Sequence, residues 1–185
     1  MQGGDILILT KPLGTGTLLA ADMRYKASHN WMHNALEQML QSNKMAAACL
    51  IKQSATACTD ITGFGLAGHL MEMLSAKNAE VQLSLSDIAP LNGALDTLQQ
   101  NIFSSLHNDN KLIAANSIYN YEAFTHDPKF ELLFDPQTAG GLLASVPDEN
   151  AEECLQELRD YGYSDAKAIG RIAKLDGDLP SIVLT

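Results

Sequence analysis

Asp60 is the residue whose type and setting could do chemistry. It closes a short run, Ala55 to Ile61, in which Cys58, Ile61 and the alanines read as a buried strand end, and it precedes Gly63 and Gly65. Beyond the glycines, Phe64, Ala67, Leu70, Met71 and Leu74 recur at helical spacing and would face a core. At a strand-to-helix corner the first amides of the helix lack intrahelical partners and the dipole is positive, so the place suits a phosphate. A carboxylate beside such amides is what a magnesium nucleotide needs, because magnesium takes one or two protein carboxylates and fills its shell with phosphate oxygens and water. The plainer alternative is that Asp60 or Thr62 only caps the helix.

Two further turns carry similar vocabulary. Lys11, Pro12, Gly14, Thr15 and Gly16 follow an apolar run, and Gly14 and Gly16 would either expose amides to an anion or simply make a tight turn into a helix. Asp135 to Thr138 follows another apolar run and leads to Gly140 and Gly141. There Asp135 is expected to fold back on its own backbone as an Asx turn, Pro136 to fix the geometry, and the glycines to admit a neighbouring backbone or a ligand. Among the other candidates, His29 and His33 are four apart but lack the glutamate of a zinc-protease helix. His107 and His126 read as surface or satisfied structural histidines.

These turns need elements to hold them. Asp5–Thr10 reads as a buried strand, Leu18–Ala27 as helix, His29–Gln41 as an amphipathic helix with Trp31, Ala35, Leu36, Met39 and Leu40 on one side, and 44–53 as a helix capped by Asn43. Val81–Leu85 alternates as a half-exposed strand and Ala94–Gln99 as a short helix, while 101–129 has no clear period. Phe130–Phe134 reads as a strand, Gly140–Val146 as another, and Ala151–Gly162 as a helix capped by Asp148 and ended by Gly162. Strands at Ala166–Ala173 and Ser181–Leu184 follow, with one hairpin-like pair expected near the end. Strands alternating with amphipathic helices predict an α/β or α+β layered domain with a mixed sheet flanked by helices.

Bulk properties bound the answer. The 185 residues suit one domain, with 46% hydrophobic and 18% charged residues as in ordinary globular chains. A net charge of −10 with no basic cluster argues against nucleic acid, and there is neither a leader pattern nor an apolar run long enough to span a membrane, so a cytoplasmic protein is expected. Cys49, Cys58 and Cys154 are odd in number and outside any CxxC pair, which predicts buried reduced thiols rather than a disulfide or zinc framework. The chain begins almost directly on a core strand, which suggests that it is part of a longer protein.

Taken in chain order, TKPLGTG at Thr10–Gly16, TDITGFGLAGH at Thr59–His69 and LFDPQTAGGLLA at Leu133–Ala144 resemble the carboxyl-terminal half of selenophosphate synthetase, selenide, water dikinase. The resemblance runs from about Gly4 to near the end and is weakest at Asp87–Lys129 and after Pro147. It implies the α+β carboxyl-terminal domain shared with aminoimidazole ribonucleotide synthetase. It also implies a parent that makes selenophosphate, AMP and orthophosphate from ATP, selenide and water with magnesium, as a homodimer joined mainly through the amino-terminal domain. In that family the aspartate matched by Asp60 contributes to the magnesium–phosphate site. Lys11, Gly14, Thr15, Gly16, Thr59, Gly63, Gly65, Asp135, Gln137, Thr138, Gly140 and Gly141 become candidate lining positions for the nucleotide. Ala139 stands where a serine is usual. The family's ATP-binding domain, with its reactive cysteine or selenocysteine, lysine and further acidic ligands, has no match here, so the chain is expected to carry no catalytic residue of its own and to be inactive and monomeric alone. The alternatives are the same domain of a sister ATP-dependent enzyme, or a packing or interaction module without catalysis.

Overall fold

Six short strands form one mixed sheet in this computed structural model, which describes residues 1–75, 79–173 and 182–185. They are β1 (Ile6–Leu9), β2 (Ala57–Asp60), β3 (Glu80–Leu83), β4 (Leu142–Val146), β5 (Lys167–Ala173) and β6 (Ile182–Leu184), in the order β2-β4-β1-β5-β3-β6. Every pairing is antiparallel except β3 with β6. The two faces alternate along β1: Leu7 and Leu9 enter one core and Ile8 the other. In β5 the register to β1 slips between Gly170 and Ala168, leaving Ile169 as an extra residue. That bulge is why Ile169 and Ile172, three apart, both join the same core.

Helices cover both faces. The larger core is roofed by α1 (Thr15–Asp22), α4 (Gly65–Ser75), α5 (Ala94–Gln99) and α7 (Pro128–Leu132), with α6 (His107–Ala114) packed on α4. The smaller core lies under α3 (Lys44–Lys52) and α8 (Asp148–Asp160). Leu66, Leu70 and Leu74 of α4 are wholly buried; at about 1.5–3 kcal/mol each, they anchor this helix and with it the corner that precedes it. Trp31 of α2 (His29–Leu40) packs against the same core beside Gly93, as its type suggests.

Several expectations change. Phe130–Phe134 is not a strand: Asp127 caps Lys129 N–H at 2.8 Å, Pro128 takes the first helical position, and the run becomes α7 and a turn. No hairpin joins the last strands, since β5 and β6 each pair with β3. Ser181, the first residue of the expected last strand, lies outside the described residues. α1 starts at Thr15 and stops at Asp22, earlier than the apolar pattern suggests. On α2 only Ala35 is buried, while Leu36 and Leu40 are exposed, because little packs over that side. Asn43 does not cap α3 with its side chain; its Nδ2 donates to Gly140 O at 2.9 Å. Pro147, not Asp148, is the cap position of α8, and Asp148 pairs with Arg171 at 2.9 Å. Cys49 and Cys154 are buried, with burial pushing the Cys49 thiol up to about 12, but Cys58 is exposed because β2 is an edge strand.

Candidate functional site

The three glycine-bearing turns come together, but not as equals. Gly14 and Thr15 N–H donate to Gln137 Oε1 at 3.0 and 3.2 Å, and Gly16 N–H donates to Asp135 Oδ2 at 3.0 Å. The positive end of α1 is therefore already filled by acceptor oxygens that the chain itself supplies. Thr15 Oγ1 also donates to Gln137 Oε1 and accepts Thr138 N–H at 2.8 Å, while Gln137 Nε2 returns to Asp135 Oδ2 at 2.9 Å. Asp135 thus reaches across the fold instead of closing an Asx turn on its own backbone. It is fully buried; loss of water pushes its carboxyl up to about 7, against the opposing pull of hydrogen bonds from Gln137, Gly16 and Thr17. Gly16 and Gln137 reach its Oδ2, and its Oδ1 meets no hydrogen-bond partner of good geometry among the described residues. A Cβ on Gly16 would stand 2.3 Å from Pro136 O and 2.7 Å from that Oδ1, so only glycine allows the approach.

Lys11 and the last glycines are likewise occupied internally. Lys11 is buried, and its Nζ donates to Gln38 O, Gln41 O and Ala139 O at 3.1, 2.6 and 3.2 Å, closing the end of α2; burial lowers its pKa. Ala139, the departure from the family's serine, sits at a positive φ of 50° and offers its carbonyl to that lysine. Gly140 and Gly141 let the backbones of Ile61 and Lys11 approach, at 2.2 and 2.7 Å from where a Cβ would be.

The Asp60 corner is different. Asp60 is exposed, and its carboxylate makes no hydrogen bond or ion pair among the described residues, so it does not cap α4. Its register partner Leu142 places its side chain on the α3 face, together with Cys58, while Thr59 shares the α4 face with Leu143. The following residues are held from behind: Ile61 N–H donates to Gly141 O, Thr62 O accepts from Gly65 and Gln137 N–H, and Asn110 Nδ2 binds Gly63 O at 2.8 Å. Gly65 has a positive φ of 69° and lies against Leu133 O. No group of three or more histidines, cysteines, aspartates or glutamates placed to hold a metal occurs among the described residues; His29 and His33 stack on each other, and His33 Nε2 lies 3.4 Å from Glu37 Oε1. Asp60 therefore offers a single exposed carboxylate at this corner.

A cleft of about 420 Å³ brings parts of all three turns together: Gly16, Gly63, Gln137 and Thr138 line it. Arg24, which donates to Phe103 O at 3.2 Å, supplies its cation, and Ser104 and Ser105 add hydroxyls. Ser104 and Ser105 fall where the sequence shows no usable period, and Arg24 lies in a stretch read only as helix, so nothing in their spacing announced a shared site. Asp60 is not among the lining residues.

With the geometry in view, the chain can be compared with known proteins. Residues 2–178 match AIR synthase related protein, C-terminal domain. The chain belongs to that family. Within it, a selenide, water dikinase of Clostridioides difficile is 34% identical over 174 residues, covering 91% of this chain and 48% of that protein. The one from Bdellovibrio bacteriovorus is 37% identical over 175 residues, again 91% and 48%. The chain thus spans about half the length of the curated relatives it matches. Among solved structures, the hydrogenase maturation protein HypE aligns with TM-score 0.66 at 17% identity over 99% of this chain and 50% of that one. Thiamine monophosphate kinase from Aquifex aeolicus aligns with TM-score 0.59 at 16% identity over 100% and 50%. At that identity these two show the shared fold, an AIR synthase-like C-terminal domain with its mixed sheet and flanking helices. No helix among the described residues is long and apolar enough to cross a membrane.

Proposed function

We propose that this chain is the carboxyl-terminal half of a cytoplasmic selenide, water dikinase that makes selenophosphate, AMP and orthophosphate from ATP, selenide and water, and that Asp60 is the carboxylate it contributes to a magnesium–nucleotide site. The observation that carries the residue assignment is the contrast in satisfaction. Asp135, Gln137 and Lys11 are consumed by internal partners, whereas Asp60 stands exposed with no ion-pair partner among the described residues. The family match and the identities to selenide, water dikinases support the activity. Magnesium bound there would neutralise charge on the transferring phosphoryl group. This chain's part is to present one carboxylate on a rigid corner, with β4 beside it and α4 anchored behind. A partner amino-terminal half, in a homodimeric parent, would supply the nucleophile, the lysine, the remaining acidic ligands and the ATP and selenide pockets.

The test is a chimera in which residues 1–185 replace the matching half of the Clostridioides difficile relative. Selenide-dependent AMP formation is expected, and Asp60→Asn should lower it by roughly 10²-fold or more, the scale of losing a preorganised electrostatic contact. Near-parental turnover by Asp60→Asn at ordinary magnesium refutes the ligand assignment. Selenophosphate production by the 185-residue chain alone refutes the division of labour.

A further inference from the structure

Behind the Asp60 corner lies a chain of side chains that the preceding reading does not use. Thr62 Oγ1 is 3.1 Å from His69 Nε2, and His69 Nδ1 is 3.1 Å from Glu72 Oε2. His69 is buried on α4, its ring tilted against Phe64 at 5.5 Å, while Glu72 reaches solvent. The order hydroxyl, imidazole, carboxylate has a chemical consequence. An ionised carboxylate only accepts, so Nδ1 must carry a proton; in the neutral ring Nε2 is then the acceptor. The single hydroxyl proton of Thr62 is therefore spent inward, and its oxygen has only lone pairs left for anything approaching from outside. Thr62 is also the node of the corner, since its carbonyl takes the amides of Gly65 and Gln137 at 3.1 and 2.9 Å.

We propose that His69, oriented by Glu72, is a positioning residue that turns the Thr62 hydroxyl proton inward, so that Thr62 meets a ligand at the Asp60 corner as an acceptor. An acceptor there suits water in the shell of a divalent cation, which donates hydrogen bonds, and disfavours a bare phosphate oxygen, which only accepts. The functional half of this statement rests on Asp60 being a cation ligand; the orientation of the relay does not.

The test uses the 185-residue chain and nuclear magnetic resonance. Long-range proton–nitrogen spectra at about pH 8, where an ordinary histidine is neutral, should show His69 as the Nδ1–H tautomer. They should also show a slowly exchanging Thr62 hydroxyl proton that disappears in Thr62→Val and His69→Ala. Glu72→Ala should release the tautomer preference. An Nε2–H tautomer in the parent, or one indifferent to Glu72→Ala, overturns the proposal. For the functional half, the chimera, whose amino-terminal half supplies the remaining ligands, is probed with paramagnetic Mn²⁺: it should broaden amides around Asp60, with an apparent affinity weakened roughly three- to tenfold in Thr62→Val, the scale of one hydrogen bond, and largely restored in Thr62→Ser. Equal broadening in Thr62→Val and the parent overturns the acceptor role. Absence of localised broadening in the parent, or its persistence in Asp60→Asn, overturns the Asp60 assignment instead and leaves the relay to stand or fall on its tautomer.

Discussion

The turn before α1 and the corner before α4 are built from the same parts, glycines around a polar residue at the start of a helix, and they end in opposite states. At α1 the amides of Gly14, Thr15 and Gly16 are filled by Gln137 and Asp135, and these side chains are buried. At α4 the carboxylate of Asp60 faces solvent, and the residues after it are braced from the rear by Asn110, Gly141 and Gln137. A helix terminus attracts an anion in both places. What differs is whether the fold has already filled that end, and a terminus whose amides are satisfied by the chain's own carboxyl and amide oxygens serves the architecture, whereas one left open can serve a ligand.

Three measurements would break or sharpen this contrast. The largest effect concerns the buried carboxyl of Asp135. The Asp135 carboxyl titrates near 3.8 when exposed and near about 7 in the fold, so between those values the folded chain binds more protons than the unfolded one. Its contribution to stability therefore falls as pH rises from about 4 to about 7 and is flat beyond, by roughly 4 kcal/mol at most. Asp135→Asn keeps an acceptor for Gly16 N–H and removes that fall, so urea unfolding across this range should show the variant gaining on the parent as pH rises. Parallel profiles would mean the carboxyl is not charged against its surroundings.

A smaller effect separates the glycines. In Gly16→Ala the better helix propensity, about 1 kcal/mol, opposes a collision with the Pro136 carbonyl at 2.3 Å that cannot be relieved by a side-chain rotation. The collision should win, with a net loss of about 2 kcal/mol or more. At Gly63 an added Cβ would find only Leu106 Cδ1 at 4.0 Å, so Gly63→Ala should stay within about 0.5 kcal/mol of the parent. Equal losses in denaturant titrations would erase the distinction between a sealed and an open turn.

The smallest effect is expected at Asp60. Its carboxylate has no partner to lose among the described residues, so Asp60→Asn should leave unfolding free energy within about 0.5 kcal/mol, even though its activity in the chimera is expected to collapse. A loss above about 1 kcal/mol would instead reveal the capping role that the sequence alone left open.

How much of this was legible beforehand depends on the range of the interactions. α4 could be read from its spacing, and Ala67, Leu70 and Leu74 are buried as expected; but Phe64 is exposed and Met71 half-buried, the buried face taking Leu66 and Met73 in their place. The run Phe130–Phe134 could not, since five apolar residues satisfy strand and helix alike; the informative signal was the Asp127–Pro128 pair just upstream, a cap and a first-turn proline. The exposure of Cys58 was hidden for another reason: a small apolar-looking strand is buried or bare according to whether it lies inside a sheet or at its edge.

The site divides the same way. By itself the sequence determined that three glycine-bearing turns flank strands and helices, that Asp60 sits at one of their corners, and that the family's motifs are present. Those are properties of neighbours in the chain, governed by local backbone sterics and period. Only the tertiary structure decided that Asp135 bonds Gly16, 119 residues away, that Lys11 ends on carbonyls of α2 and that Thr62 turns back to His69. Which polar groups are consumed and which are left free is settled by pairing across the fold, because a buried donor or acceptor must find its partner wherever packing brings one within about 3 Å.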